Sequence, residues 1–114
     1  MWRILESRLE MVRLAREWRF WCDRIARAAE RILGDCEVYV FGSVVEGRAV
    51  GGSDVDVLIV SDEIPDRNRD RWGLKARIEV EAGLPLYHPY EIHLANREEA
   101  KWYFRHIKKA VRIR

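Results

Sequence analysis

Asp54 and Asp56 stand one residue apart at the entrance of an apolar, β-branched run, "DVDVLIV". In an extended strand alternate side chains point the same way, so the two carboxylates share a face, roughly 7 Å apart along the backbone. Like charges this close repel one another unless a cation lies between them. A divalent ion meets that need, because carboxylate and phosphate oxygens are the hard donors that Mg²⁺ prefers. Val55, Val57 and Ile59 point the other way, and Leu58 and Val60 continue the aspartates' face. A site here would sit at the mouth of the strand, with dry core beyond it.

Upstream, Gly42 and Ser43 directly follow the strand-like stretch "CEVYVF". A glycine at such a turn lets backbone N–H groups approach an anion closely, and the serine adds a hydroxyl. The other common phosphate motifs are absent: there is no G-x-x-x-x-G-K-[ST] and no G-x-G-x-x-G. A calcium loop is excluded too, because strand residues follow the aspartates where such a loop needs glycine and further ligands. Alone, a pair of aspartates in this pattern more often marks a turn and an edge ion pair. A Gly-Ser turn after the preceding strand favours phosphate and metal chemistry instead.

The chain around these residues has 114 residues, which fits one domain, 1–114. Hydrophobic residues make up 48% and charged residues 35%, a globular balance that argues against disorder. No apolar run approaches the length of a membrane span, and the charged start does not resemble a signal peptide, so a cytoplasmic location is expected. Net charge is only +2, which makes a nucleic-acid partner the weakest of the options. Arginine outnumbers lysine 17 to 4, with no Gln and no Thr, a composition that suggests a thermophile. Cys22 and Cys36 lack metal or C-x-x-C spacing and read as reduced thiols, with a disulfide the minority alternative.

From Val12, apolar residues recur in steps of three and four through Ala15, Trp18, Cys22, Ile25, Ala29 and Ile32, which predicts a long N-terminal helix over 1–34, stopped by Gly34. A helix of that length can be kinked or divided, but nothing in the residues says where. The sheet core with the site is expected over 36–95. Residues 66–82 carry two signals: Leu74, Ala76, Ile78 and Val80 alternate with charges as in a strand, while the length and the Arg, Glu, Ala and Leu content suit a helix. "YEIHLA" reads as a further strand, and Asn96 with Glu99 makes a capping box that opens a C-terminal helix over 96–114. The basic end, "IKKAVRIR", reads as the solvated end of that helix.

With these residues in place, "GSVVEGRAVGGSDVD" resembles the signature of the nucleotidyltransferases related to DNA polymerase beta: Gly-Ser, ten residues, then Asp-x-Asp. The short chain is similar to the single-domain branch, the minimal nucleotidyltransferases. The resemblance is close over 38–60 and looser through "YEIHLA" to the last helix. It implies an α+β fold, a mixed sheet with helices mainly on one face, and it tips residues 66–82 toward helix. It also implies a third carboxylate on a neighbouring strand, for which Glu91 is the candidate, where relatives more often carry Asp. His93 shares the face of Glu91 and reads more readily as a packed histidine than as a contact to the acceptor.

The implied reaction transfers a nucleoside monophosphate, as AMP from ATP, to a hydroxyl, with Asp54, Asp56 and Glu91 as catalytic residues holding two Mg²⁺ ions. Gly42, Ser43, Ser53 and Arg48 would bind the nucleotide. Glu46 departs from the arginine common at its position, and Arg48 two residues on is the candidate replacement. The minimal branch further implies a partner, a small helical HEPN-type protein of a toxin–antitoxin module whose tyrosine accepts the nucleotide. A homodimer, an antitoxin acting by contact alone, and a small-molecule acceptor are the alternatives. The tryptophan-bearing face of the first helix, at Trp18 and Trp21, is the expected docking face.

Overall fold

The computed structural model describes residues 2–50 and 53–114, with side chains from residue 6 onward. The chain runs α1 (Trp2–Arg16), α2 (Trp18–Leu33), β1 (Glu37–Phe41), α3 (Ser43–Glu46), β2 (Val55–Val60), α4 (Asn68–Glu81), β3 (Tyr90–Ala95), α5 (Arg97–His106) and β4 (Ala110–Arg112). The four strands form one mixed sheet in the order β3-β2-β1-β4. β1 runs antiparallel to both β2 and β4, while β2 and β3 are parallel and joined by α4, as a parallel pair requires a crossover. This is the expected α+β architecture.

Strand alternation divides the core in two. Val38 and Val40 of β1 and Val55, Val57 and Ile59 of β2 turn to one face, where α1, α2 and α4 supply Leu14, Cys22, Ile25, Ala29 and Ile78. Leu58, Val60 and Ala95 turn to the other face, under Ala100 and Tyr103 of α5. Three of the long helices therefore share one face, and α5 covers part of the other.

The long N-terminal helix is divided, and the break the residues did not locate falls at Glu17, whose backbone leaves helical geometry (φ −87°, ψ 29°). A tertiary contact sits at the break. The Tyr90 hydroxyl donates to the Leu14 carbonyl, the acceptor that the Trp18 amide would take in a continuous helix. Trp18 and Trp21, expected as a docking face, pack against the chain's own core, while Phe20 between them is exposed.

Residues 68–81 form a helix, so the period-two reading of 66–82 is corrected. Leu74 and Ile78, four apart, face the core with Ala82, whereas Val80 is 78% exposed, which a buried strand face would not allow.

The helix expected over 96–114 ends at His106. Its capping box is present: the Asn96 side chain accepts from the Glu99 amide at 2.8 Å and the Glu99 carboxylate from the Asn96 amide at 3.0 Å. Beyond it, Ala110–Arg112 pairs with β1, Phe41 opposite Ala110 and Tyr39 opposite Arg112. The basic end is thus a strand and not a helix terminus. "AVRIR" alternates, and Ile113 packs on the main core while Arg112 lies over the Tyr39 ring at 5.8 Å. β4 also covers the edge that β1 would otherwise expose. Cys22 is buried and Cys36 half-buried, and both are free thiols. Among the described residues no helix is long and apolar enough to cross a membrane.

Candidate active site

β2 is the centre of the site. Asp56 lies opposite Phe41 on β1 and in register with Glu91 on β3. The parallel register places both carboxylates on the face that α5 covers only in part. Glu91 belongs to the edge strand, and its side chain is 53% exposed, whereas that of Asp56 is 25% exposed.

Gly42 is fixed by two constraints. Its φ of +88° lies in the region where side chains are strained, and a Cβ there would sit 2.4 Å from Oδ2 of Asp56. The turn after β1 therefore carries Asp56's carboxylate directly against its backbone. Ser43 follows as the first residue of α3, half-buried, and the Gly42 carbonyl accepts from the amides of Val45 and Glu46 at 3.2 Å. Gly42 and Asp56 meet because β1 and β2 are antiparallel neighbours joined by a short loop.

Asp54 is placed differently. It is exposed and sits one residue before β2. Among the described residues the group close enough to hold one ion is Asp56, Glu91 and His93, whose ligand atoms all lie within 4.8 Å of one another. Asp54 is outside it. His93 Nε2 lies 3.1 Å from Oδ1 of Asp56 and 3.9 Å from Oε1 of Glu91. Its ring packs in a cluster with Phe41 and Tyr103, at centroid distances of 5.3 and 5.6 Å. The sequence offered one signal for it: His93 is two residues from Glu91 on the same face of a strand.

Two further expected nucleotide contacts are engaged locally. The Ser53 hydroxyl accepts from the Val50 amide at 3.1 Å, which closes the end of the glycine-rich loop. Arg48 donates to Glu46 Oε1 through Nε at 3.2 Å and through Nη2 at 3.0 Å. Glu46 thus holds Arg48. Both line a cleft of about 330 Å³ that also touches Phe41, His93, Trp102 and Tyr103. Burial raises the Tyr103 hydroxyl's pKa in this wall. Arg71 holds α5 in place over the sheet. It donates to the Pro65 carbonyl at 2.6 Å, to the Leu94 carbonyl at 3.3 Å and to both Glu99 oxygens at 3.0 and 2.7 Å.

A mixed sheet that brings a Gly-Ser turn against an acidic strand pair, open at one end, defines a phosphoryl-handling α+β domain. The nucleotidyltransferase domain matches residues 22–114, and the chain belongs to that family; it is a nucleotidyltransferase. Two solved structures resemble it, each of a "putative nucleotidyltransferase". One is 37% identical over 77% of this chain and 91% of its own, with a TM-score of 0.62. The other, from Sulfolobus solfataricus, is 25% identical over 95% of this chain and 83% of its own, with a TM-score of 0.56. No curated protein matches the chain significantly.

Proposed function

We propose that the chain transfers a nucleoside monophosphate, AMP when ATP is the donor, to a hydroxyl on a protein partner and releases pyrophosphate. The observation that carries this reading is the register that sets Asp56 beside Glu91 with the Gly42 backbone against Asp56. The donors suit a hard divalent ion: two carboxylates on adjacent strands, one of them half-open to incoming phosphate oxygens. Asp56 and Glu91, joined by Asp54 from the exposed approach to β2, would hold two Mg²⁺ ions. Such ions, when bound, offset charge on the attacking oxygen and on the departing phosphate.

The chain's own groups do the rest. Gly42 and Ser43 receive the terminal phosphates, and Arg48, held by Glu46, lends its charge at the rim of the cleft. The acceptor oxygen bonds to the α-phosphorus, the bond from that phosphorus to the β-phosphate's bridging oxygen breaks, and the hydroxyl proton passes to the Glu91 carboxylate. Positioning and charge stabilisation supply most of the rate. Glu91 on an open sheet edge favours an acceptor presented from outside, such as a tyrosine of a small helical HEPN-type protein.

A second reading, an antitoxin-like module that neutralises its partner by contact, is favoured by Glu46, which adds negative charge beside the triphosphate path. Incubating the chain with ATP, Mg²⁺ and the helical protein encoded beside it separates the two. Intact-mass spectrometry is expected to show one adenylyl group on the partner. Full neutralisation by Asp56→Asn, with no adenylyl group ever found with the unaltered chain, would establish the second reading.

A further inference from the structure

The structure assigns His93 as a third ligand at the Asp56–Glu91 centre, one that turns its preference from Mg²⁺ toward first-row transition ions. This inference rests on the proposal that Asp56 and Glu91 hold a divalent ion. One pair of the three donor atoms already has the spacing of a coordination shell, and the third atom lies just outside it. Bonds of about 2.1 Å put neighbouring octahedral ligands about 3.0 Å apart and neighbouring tetrahedral ligands about 3.4 Å apart. Nε2 of His93 lies 3.1 Å from Asp56 Oδ1 and 3.9 Å from Glu91 Oε1, and all three atoms fall within 4.8 Å. An ion among them would replace the His93–Asp56 hydrogen bond and draw the half-exposed Glu91 side chain inward.

The ring is also pre-oriented. Phe41 on β1 and Tyr103 on α5 flank it, and its backbone sits in a parallel ladder, Leu58 beside His93. A rigid imidazole aimed at two carboxylates matters because nitrogen donors discriminate among ions that carboxylates treat alike. Mg²⁺ favours oxygen and retains its waters, whereas imidazole suits the later first-row ions. The Gly42 backbone against Asp56 Oδ2 restricts that carboxylate as well, leaving Oδ1 directed at His93.

The test uses Mn²⁺ as the probe on the full chain without nucleotide. Binding is read from the loss of the free-ion electron paramagnetic resonance signal, and Mg²⁺ is scored by competition. Zn²⁺, scored like Mg²⁺ by competition against the Mn²⁺ reporter, should bind about tenfold or more tightly than Mg²⁺, and His93→Gln should weaken Zn²⁺ about tenfold while changing Mg²⁺ by less than about threefold. His93→Asp, an all-oxygen set, should narrow the gap between the two ions. Spin-echo modulation of the bound Mn²⁺ should show imidazole nitrogen coupling in the unaltered chain, a signature that a merely positioning histidine would not give. Equal Zn²⁺ affinity in folded His93→Gln and the unaltered chain, or no nitrogen coupling in the unaltered chain, overturns the inference and leaves the carboxylate site standing. No Mn²⁺ binding at all, with Asp56→Asn indistinguishable from the unaltered chain, overturns the metal proposal with it.

Discussion

The two faces of β2 differ by one residue of register and by everything in their surroundings. Val55, Val57 and Ile59 are fully buried under α1, α2 and α4. On the other face Leu58 and Val60 are buried under α5, but Asp56, two residues earlier on the same row, is not. α5 is 10 residues long and covers only that end of the sheet, where Arg71 and the capping box fix its start. The first face is built for stability. The second has an apolar half that holds α5 and an open half where charge can be kept without the cost of full desolvation. A row of alternating side chains becomes a site where its cover stops.

Exchanging the roles of the two faces gives the largest effects. Asp56→Asn should lower nucleotidyl transfer by about 10²–10³-fold. Its melting temperature should stay within a few degrees, read by circular dichroism, because the side chain packs at the open end and neighbours His93 rather than core. Ile59→Ala, on the covered face, should do the reverse: a loss of about 2–5 kcal/mol in denaturant unfolding, with turnover per folded molecule retained. Loss of folding in the first variant or of turnover in the second would erase the division between the faces.

Gly42→Ala tests the point where the faces meet the turn. It combines a left-handed backbone with a clash against Asp56 Oδ2, so both readouts should fall, stability by about 1–3 kcal/mol. A variant that lost neither would mean that the turn and the carboxylate are not in contact in solution.

The smallest effect concerns the brace of α5. The Arg71 guanidinium, hydrogen-bonded to Glu99, holds that carboxyl below its usual range, as the Asn96 amide does to a lesser degree. A folded pKa below the unfolded one contributes stability above the ordinary glutamate value, about 4.3, and the contribution is lost as pH falls through the folded value. The melting temperature of the unaltered chain should therefore drop more steeply below about pH 4.3 than that of Glu99→Gln, the two curves converging in acid. Glu99's side chain is 42% exposed, so solvent screening limits the difference at neutral pH to about 1 kcal/mol or less. Parallel curves would show that the pair does not hold α5.

Much of this was legible in the residues. Alternation along "DVDVLIV" separates the two faces without any structure, and Asn96 with Glu99 announces the start of α5, because both signals depend on neighbours a few residues away. Gly-Ser and Asp-x-Asp point to each other by type and spacing, and the Cβ clash at Gly42 gives the physical reason for the glycine.

Other features were settled by groups distant in sequence. Tyr90 bonds to the Leu14 carbonyl, 76 residues away, beside the break in the first helix. Leu74, Ile78 and Ala82 find α2 and the core, and that contact, not the alternation of charges beside them, decides for a helix. The basic end becomes β4 because the free edge of β1 offers its amides and carbonyls a ladder that solvent would otherwise have to satisfy. His93 joins Asp56 only through the parallel pairing of β2 with β3, and Asp54 falls outside their group because β2 begins one residue after it. The sequence by itself determined which residues alternate, turn and cap, since those depend on local backbone geometry. The tertiary structure alone decided which carboxylates meet, what completes their group and where the cover over them ends, since those depend on pairings between strands far apart along the chain.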